Sequence, residues 1–369
     1  MAIVKPKQFD TYFFGIVLLI TVIGIFSFVS ASLGILAHSE TKFYGVLFGQ
    51  IVLGFIGGLT AMWFAIKIPY HFWRNYAFFI FIATLVLTLA VFIPHVGFAH
   101  GGARRWISVL GISFQPAELL KLGFVTYFAS WLAWTSKKQE EFKYKLLPLI
   151  IMLGLVAGAL LLQPDTKSLI LITASACSML FVSGVSWKKI LAIIGIGLVG
   201  VVLLALVRPY LMSRIKTYIN PSSDSKGASY QLQQGLIAIG SGGIVGRGLG
   251  QSVQKFNYLP EPQGDSIYAV IGEEFGFIGS ALLVVLYVFL SIRGYKIAMQ
   301  SRDMFGQYLV VGIVTVLVAQ SFLNMASLVG LFPLTGVPLV FISQGGTSLL
   351  IALFASGMVL NVSRYQKKV

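Results

Sequence analysis

About ten apolar stretches, each roughly 20 residues long, recur along this chain and constrain its fold more than any other feature. A run of that length crosses the hydrocarbon core of a bilayer as a helix. Within lipid every backbone N–H and C=O needs a partner inside its own segment, and a helix provides it. The runs lie near residues 12–33, 43–65, 77–95, 118–134, 147–163, 168–184, 189–207, 267–292, 308–330 and 341–362. They predict an all-α polytopic membrane protein, a single domain over residues 1–369 with about ten transmembrane helices. A long extracytoplasmic loop, about 208–266, joins spans seven and eight. Charged residues are 11% of the chain, against about 25% in soluble domains, which excludes an ordinary soluble fold.

A formal net charge of +15 would suit nucleic acid, but its distribution points to topology. With the N-terminus inside, the short inner segments hold sixteen basic residues: Lys5, Lys7, Lys67, Arg74, Lys137, Lys138, Lys143, Lys145, Lys188, Lys189, Arg293, Lys296, Arg302, Arg364, Lys367 and Lys368. The short outer loops hold four, Lys42, Arg104, Arg105 and Lys167. This bias puts both termini in the cytoplasm and the 208–266 loop outside. Nucleic acid is not an expected partner; membrane lipids are. The first apolar run is long enough to span, so it reads as a retained helix rather than a cleaved signal peptide. Cys177 is the single cysteine and the four histidines lack metal-ligand spacing, so neither a disulfide nor a dedicated metal site is expected.

The polar interval ends in GLGQSVQKFNYLPEPQGDSIYAVIGEEFG, Gly248 to Gly276. Ionisable groups at a membrane boundary are costly and mark candidate sites. Asp265 stands just before an apolar run, where it suits two compatible roles, helix N-cap and general base. Glu273 and Glu274 follow on the same helix, about 80° and 180° around from Asp265. They cannot both face its site and read as structural polar partners. The preceding YQLQQGLIAI, Tyr230 to Ile239, is amphipathic enough for a short helix on the membrane surface, and GSGGIVGRGLG after it calls for turns and close backbone approach.

Glu118 and Lys121 are spaced i, i+3 at the start of the fourth span, either as a structural ion pair or as cavity residues that orient a base or a substrate. Asp165, at the outer end of the fifth span, is a candidate for the same cluster. Arg104 and Arg105 run against the inner bias. Guanidinium groups bind phosphate oxygens in bidentate fashion, so these two either hold a lipid diphosphate or anchor headgroups beside Trp106. Arg214, Lys216, Arg247 and Lys255 add positive charge around the long loop without an order of rank. Near the C-terminus GLFPLTGVPLVFISQGGTS is rich in Gly and Pro, a backbone tolerated at membrane depth only when it is buried in protein or lines a cavity. Thr335, Ser343, Gln344 and Thr347 are its candidate hydrogen-bonding groups for a sugar or phosphate.

Taken together, GARRW, QPAELLKL, the QPD at 163–165, YQLQQGLIAIGSGGIVGRGLGQSVQKFNYLPE, Asp265, AVIGEEFGFIG and PLTGVPLVFISQGGTS with the later NVSR closely resemble the SEDS family (shape, elongation, division and sporulation) of bacterial cell-wall polymerases. The resemblance runs from about Ser30 to Arg364, and PEPQGDS with the C-terminal pattern is more similar to division members than to elongation members. It implies a peptidoglycan glycosyltransferase of the bacterial cytoplasmic membrane, acting at the septum. Such an enzyme joins lipid II units into a nascent glycan strand, with a class B penicillin-binding protein and other division proteins as partners. The family's essential aspartate falls on Asp265, and its cavity residues on Glu118, Lys121 and Asp165; Lys255, Ser343 and Gln344 are carried as substrate-binding candidates. Two departures stand out. QPDTKS replaces QPD-leucine-glycine-threonine, which puts Lys167 near the cavity mouth, and ISQGG replaces ISYGG.

The mechanism implied is inversion at an anomeric carbon, with Asp265 as base and undecaprenyl diphosphate as leaving group. Arg104, Arg105 or a divalent cation (Mg2+ or Mn2+) held through the diphosphate would stabilise the departing charge. A lipid II flippase is the alternative from another class. It requires a polar path through the bilayer midplane, whereas most spans here are apolar at their middles. A non-catalytic scaffold for division proteins and an elongation-type polymerase are the other readings.

Overall fold

Each of the ten expected spans overlaps a helix in the computed structural model of the chain. The structure describes residues 8–366 except 101–102, 110–111, 139 and 221–226. Lys5, Lys7, Lys367 and Lys368 of the charge bias, Gly102 of GARRW, and 221–226 of the long loop therefore lie outside the described residues.

In chain order, α1 is Thr11–Leu36; α2 (Glu40–Phe48) and α3 (Gly57–Lys67) are joined by a π-helical stretch, Gly49–Ile56. Then come α4 (Tyr70–Asn75), α5 (Ala77–Leu89), α6 (Pro116–Trp134), α7 (Leu147–Leu162), α8 (Thr166–Val182) and α9 (Trp187–Val207). The long loop is itself helical, with α10 (Pro209–Ile219), α11 (Ala228–Ser241) and α12 (Gln254–Asn257), and α13 (Ile267–Met299), α14 (Met304–Leu328) and α15 (Gly346–Ser363) complete the chain. Among the described residues, seven helical stretches are long and apolar enough to cross a membrane, and Ala77–Phe92 and Thr166–Val182 are shorter apolar helices. The one expected span outside these nine is the fourth, α6, which carries the Glu118–Lys121 pair.

The helix starts follow capping chemistry. Asp10 accepts from Phe13 N at 2.9 Å, Asp303 accepts from Gly306 N at 2.9 Å, and Pro116 opens α6, where its missing N–H costs nothing. The core centres on α14, packed against α13, α6 and α8, while α9 lies at the edge with most of its apolar surface uncovered.

Three local expectations are corrected. The first outer loop carries a three-stranded antiparallel sheet, β1 (Gly97–His100), β2 (Ala103–Val109) and β3 (Ile112–Phe114), so the fold is not purely helical. The tenth helix begins at Gly346, and residues 341–345 belong to a re-entrant segment before it. The eighth is broken at Gly276, where φ is +66°. A glycine-rich loop fills that break. Arg247 N and Gly248 N donate to the carbonyls of Glu273 and Glu274 at 3.0 and 2.9 Å, while Phe277 N and Ile278 N donate to Gly243 O and Ile244 O at 2.9 and 3.1 Å. Four backbone groups freed by the break thus find partners in the loop, as broken helix at membrane depth requires. A methyl on Gly276 would meet Gly246 N at 2.4 Å, and one on Gly246 would meet Glu274 O at 2.2 Å, so both sites demand glycine.

The helix α11 replaces the expected surface helix at 230–239. It packs on α13 with Leu232 and Ala238 buried, while Leu236 and Ile237 face outward.

Candidate active site

The site forms where the turn before α13 meets the re-entrant segment before α15. Residues 337 and 339–342 of that segment are buried, and its backbone is satisfied by side chains from around it. Asn324 Nδ2 donates to Val337 O at 2.7 Å, Gln320 Nε2 to Pro338 O at 3.1 Å, Gln50 Nε2 to Ser343 O at 3.1 Å, and the Tyr287 hydroxyl to Val340 O. Ser343 Oγ accepts from Leu339 N and donates to Gly264 O, both at 2.8 Å, and Gln344 N donates to Gln263 O at 2.7 Å. Ser343 and the backbone of Gln344 therefore fasten the segment to the turn carrying Asp265.

Asn324 Nδ2 also donates to the backbone carbonyl of Asp265 at 2.8 Å. The Asp265 side chain is half-buried, and among the described residues its carboxylate makes no hydrogen bond and no ion pair. The N-cap role is corrected: the cap position of α13 is Ser266, whose hydroxyl donates to Pro260 O at 2.8 Å and accepts from Gln231 Nε2 at 3.0 Å. Asp265 faces Gly336 instead. A methyl built on Gly336 would lie 3.0 Å from Asp265 Oδ2 and 3.3 Å from Arg214 Nη2, so the carboxylate and the guanidinium flank one point. Arg214 Nη1 donates to Leu334 O, and Lys167 Nζ donates to Gly336 O. One carboxylate and two cations thus converge on a single glycine, at φ +64°, whose missing side chain lets them approach this closely.

Glu118 and Lys121 form an ion pair of 2.8 Å, and Lys121 Nζ also donates to Gln320 Oε1 at 2.6 Å. Since Gln320 holds Pro338 O, the pair is wired to the re-entrant segment two residues from Gly336. It lies at the polar end of a small cavity of about 40 Å³ between α6, α14 and α15, otherwise walled by residues such as Val125, Leu317 and Ile351. Asp265 is not part of that wall.

Other candidates sit elsewhere. Asp165 is fully buried as the N-cap of α8; it accepts from Ser168 Oγ at 2.8 Å and from Gln115 Nε2 at 3.2 Å, so it does not join the Glu118 cluster. Arg105 is the extra residue at an irregularity in the β1–β2 register, a feature that re-aims side chains. Its guanidinium donates to the carbonyls of Gln163 and Pro164 and clamps the QPD turn, while Arg104 stays exposed, so the two do not form a joint diphosphate clamp.

Lys255 is corrected from a substrate contact to a buried structural cation. Its Nζ donates to Glu274 Oε1 at 2.7 Å, to Gly250 O at 2.8 Å and to Ser30 Oγ at 3.0 Å. Glu274 also accepts from Ser30 Oγ, at 2.6 Å. Glu273 accepts from Arg247 Nη1 at 3.0 Å, Ser252 Oγ at 2.5 Å and Val253 N at 3.1 Å. Both glutamates are structural, as expected of them, yet they hold mainly the outer loop rather than neighbouring spans. The sequence reading missed Gln320 and Asn324. Their signal was two amides one turn apart inside an apolar span, where polar groups are costly without partners.

The architecture defines an integral helical membrane protein with an acidic group left unpaired among the described residues and lying beside two cations, at the junction of a long loop and a re-entrant segment. The profile of the FtsW/RodA/SpoVE family of cell cycle proteins matches residues 10–368, and the chain belongs to that family. It is 38% identical to stage V sporulation protein E of Bacillus subtilis over 98% of this chain and 99% of that one. It is 40% identical to a probable peptidoglycan glycosyltransferase FtsW of Geobacter metallireducens, over 84% of this chain and 83% of the relative. Its fold is similar to a chain from a structure on how a peptidoglycan synthase complex coordinates polymerization and crosslinking, with TM-score 0.77, 26% identity and coverage of 97% and 99%. It is likewise similar to the rod shape determining protein RodA of Thermus thermophilus, with TM-score 0.71, 25% identity and 98% of each chain.

Proposed function

We propose that this protein is a peptidoglycan glycosyltransferase that polymerises lipid II at the outer face of the bacterial cytoplasmic membrane during division. The observation that carries the reading is the half-buried Asp265 carboxylate, free of hydrogen bonds among the described residues and flanked by cations. A general base must keep a lone pair for an incoming proton, and Asp265 keeps all of them. In this reading Asp265 takes the proton from the 4-hydroxyl of the acceptor N-acetylglucosamine. That oxygen bonds to the anomeric carbon of the donor N-acetylmuramic acid as the C1–O bond to undecaprenyl diphosphate breaks, inverting the carbon. The cavity beside Glu118 and Lys121 offers an apolar wall to a prenyl chain. The relatives named FtsW support the activity, and the similarity to a chain of a peptidoglycan synthase complex supports a class B penicillin-binding protein as partner.

A divalent cation would bind here chiefly through the diphosphate, with Asp265 as the nearest carboxylate. Among the described residues no group of three or more His, Cys, Asp or Glu side chains is gathered to hold one. The basic bias supports cytoplasmic termini and an outer loop at 208–266.

The test is glycan-strand formation from purified lipid II by the detergent-solubilised protein, alone and with a class B partner, read on gels. Polymer from wild type and none from Asp265→Asn supports the reading. A wild type that makes no polymer in either format, yet moves lipid II across liposomes, is a flippase instead.

A further inference from the structure

The cations beside Asp265 come from places far apart in the chain. Lys167 is the second residue of α8, and Arg214 lies in the middle of α10. Each donates to a carbonyl of the same extended segment, Lys167 to Gly336 and Arg214 to Leu334, two residues apart. The arginine is further held over the ring of Tyr210, 4.6 Å from its centroid. Neither closes an ion pair with Asp265 among the described residues, although Asp265 Oδ2 and Arg214 Nη2 flank the same point above Gly336.

The surroundings hold polar atoms with nothing to bond. Arg214 Nε, Thr335 Oγ1, Gln263 Oε1 and Asn324 Oδ1 are all buried without a hydrogen-bond partner among the described residues. They lie on α10, on α14, in the turn before α13 and in the extended segment, and buried polar atoms are nearly always paired. Two cations against one carboxylate leave an excess positive charge. An anion with several oxygens would satisfy both the charge and the two open donors, Arg214 Nε and the Thr335 hydroxyl.

We propose that Lys167 and Arg214 form the clamp that receives the donor's diphosphate beside Asp265. This rests on the lipid II polymerase reading above. When the C1–O bond of the donor breaks, its electron pair goes to the bridging phosphate oxygen, and the acceptor's proton goes to Asp265. The leaving diphosphate gains one negative charge, so a fixed pair of cations holds it more tightly in the transition state than in the ground state. The carbonyls of Leu334 and Gly336 set the cations in place before substrate arrives, which removes the ordering cost at the moment of reaction. Lys167 stands at the second position after the QPD aspartate, where the family resemblance leads one to expect glycine, so this half of the clamp is a property of this chain.

The test measures binding of farnesyl diphosphate to the purified full-length protein in detergent by calorimetry, with farnesol and inorganic diphosphate as the two halves of the probe. Lys167→Gln keeps a donor for the Gly336 carbonyl but removes the charge. It and Arg214→Gln should each weaken farnesyl diphosphate binding about tenfold or more, the loss expected for one charge-assisted contact to phosphate. Lys167→Arg should restore it, Asp265→Asn should leave it no weaker, and farnesol should be indifferent to all of them. Inorganic diphosphate should show the same dependence on Lys167. Binding within twofold of wild type in Lys167→Gln overturns the clamp, as does an equal loss in Lys42→Gln, an exposed outer lysine outside the site. Should Arg214→Gln not fold, the Lys167→Gln and Lys167→Arg pair decides alone. Glycan synthesis is scored separately. Wild-type polymer with unweakened binding in the variants removes the clamp and keeps the polymerase; weakened binding with no wild-type polymer keeps the anion clamp and removes the polymerase.

Discussion

Asp265 and the pair Glu273–Glu274 lie eight and nine residues apart at the start of one helix, and their carboxylates meet opposite fates. Glu273 and Glu274 are fully buried, and their oxygens are taken up by Arg247, Lys255, Ser30, Ser252 and the backbone of the loop. They staple the glycine-rich loop into the break at Gly276. Asp265 is tied down only through its carbonyl, by Asn324, and its carboxylate is left without a hydrogen bond among the described residues. A carboxylate whose lone pairs are all engaged stabilises; one held in place by its backbone, with its oxygens spare, is available for proton transfer. In a membrane protein an acid near lipid therefore marks a function only after its partners have been counted.

This contrast is testable, beginning with the largest effect. Asp265→Asn should lower glycan synthesis by at least 10²–10⁴-fold, the usual weight of a general base, with an unchanged melting temperature in detergent. A variant that melts early would make Asp265 a structural acid like its neighbours. Glu274→Gln should do the reverse. It leaves the Lys255 ammonium buried without its counter-ion, at about 3–5 kcal/mol of stability, visible in denaturant titration. Synthesis per folded molecule should fall far less than in Asp265→Asn.

The two adjacent arginines repeat the comparison on a smaller scale. Arg105→Gln should lose about 1–3 kcal/mol through the freed carbonyls of the QPD turn, with little change in the KM for lipid II. Arg104→Gln, at an exposed position, should stay within about 0.5 kcal/mol of wild type. A rise in KM from Arg104→Gln with stability unchanged would return that residue to the substrate.

Local hydropathy alone determined the helical spans, because each satisfies its backbone internally and needs only apolar length to be recognised. The acidic residues worth testing were also legible, since charge is conspicuous in so apolar a chain. Their roles were not. The break at Gly276 reads as uninterrupted helix in one dimension, because only the inserted loop of residues 243–248 supplies the hydrogen bonds that permit it. Lys255 is spent on Glu274 within a closed loop, whereas Lys167 reaches the Gly336 carbonyl and closes no ion pair among the described residues, and spacing along the chain reveals neither partner. Arg214 carries no local mark of its role, and Gln320 and Asn324 are marked only as amides in an apolar span, for the carbonyls they serve are drawn from a distant segment. Hydrophobicity is a property of a segment and survives in the sequence; pairing belongs to the packed fold, and only the tertiary structure decided which charges were spent and which were left free.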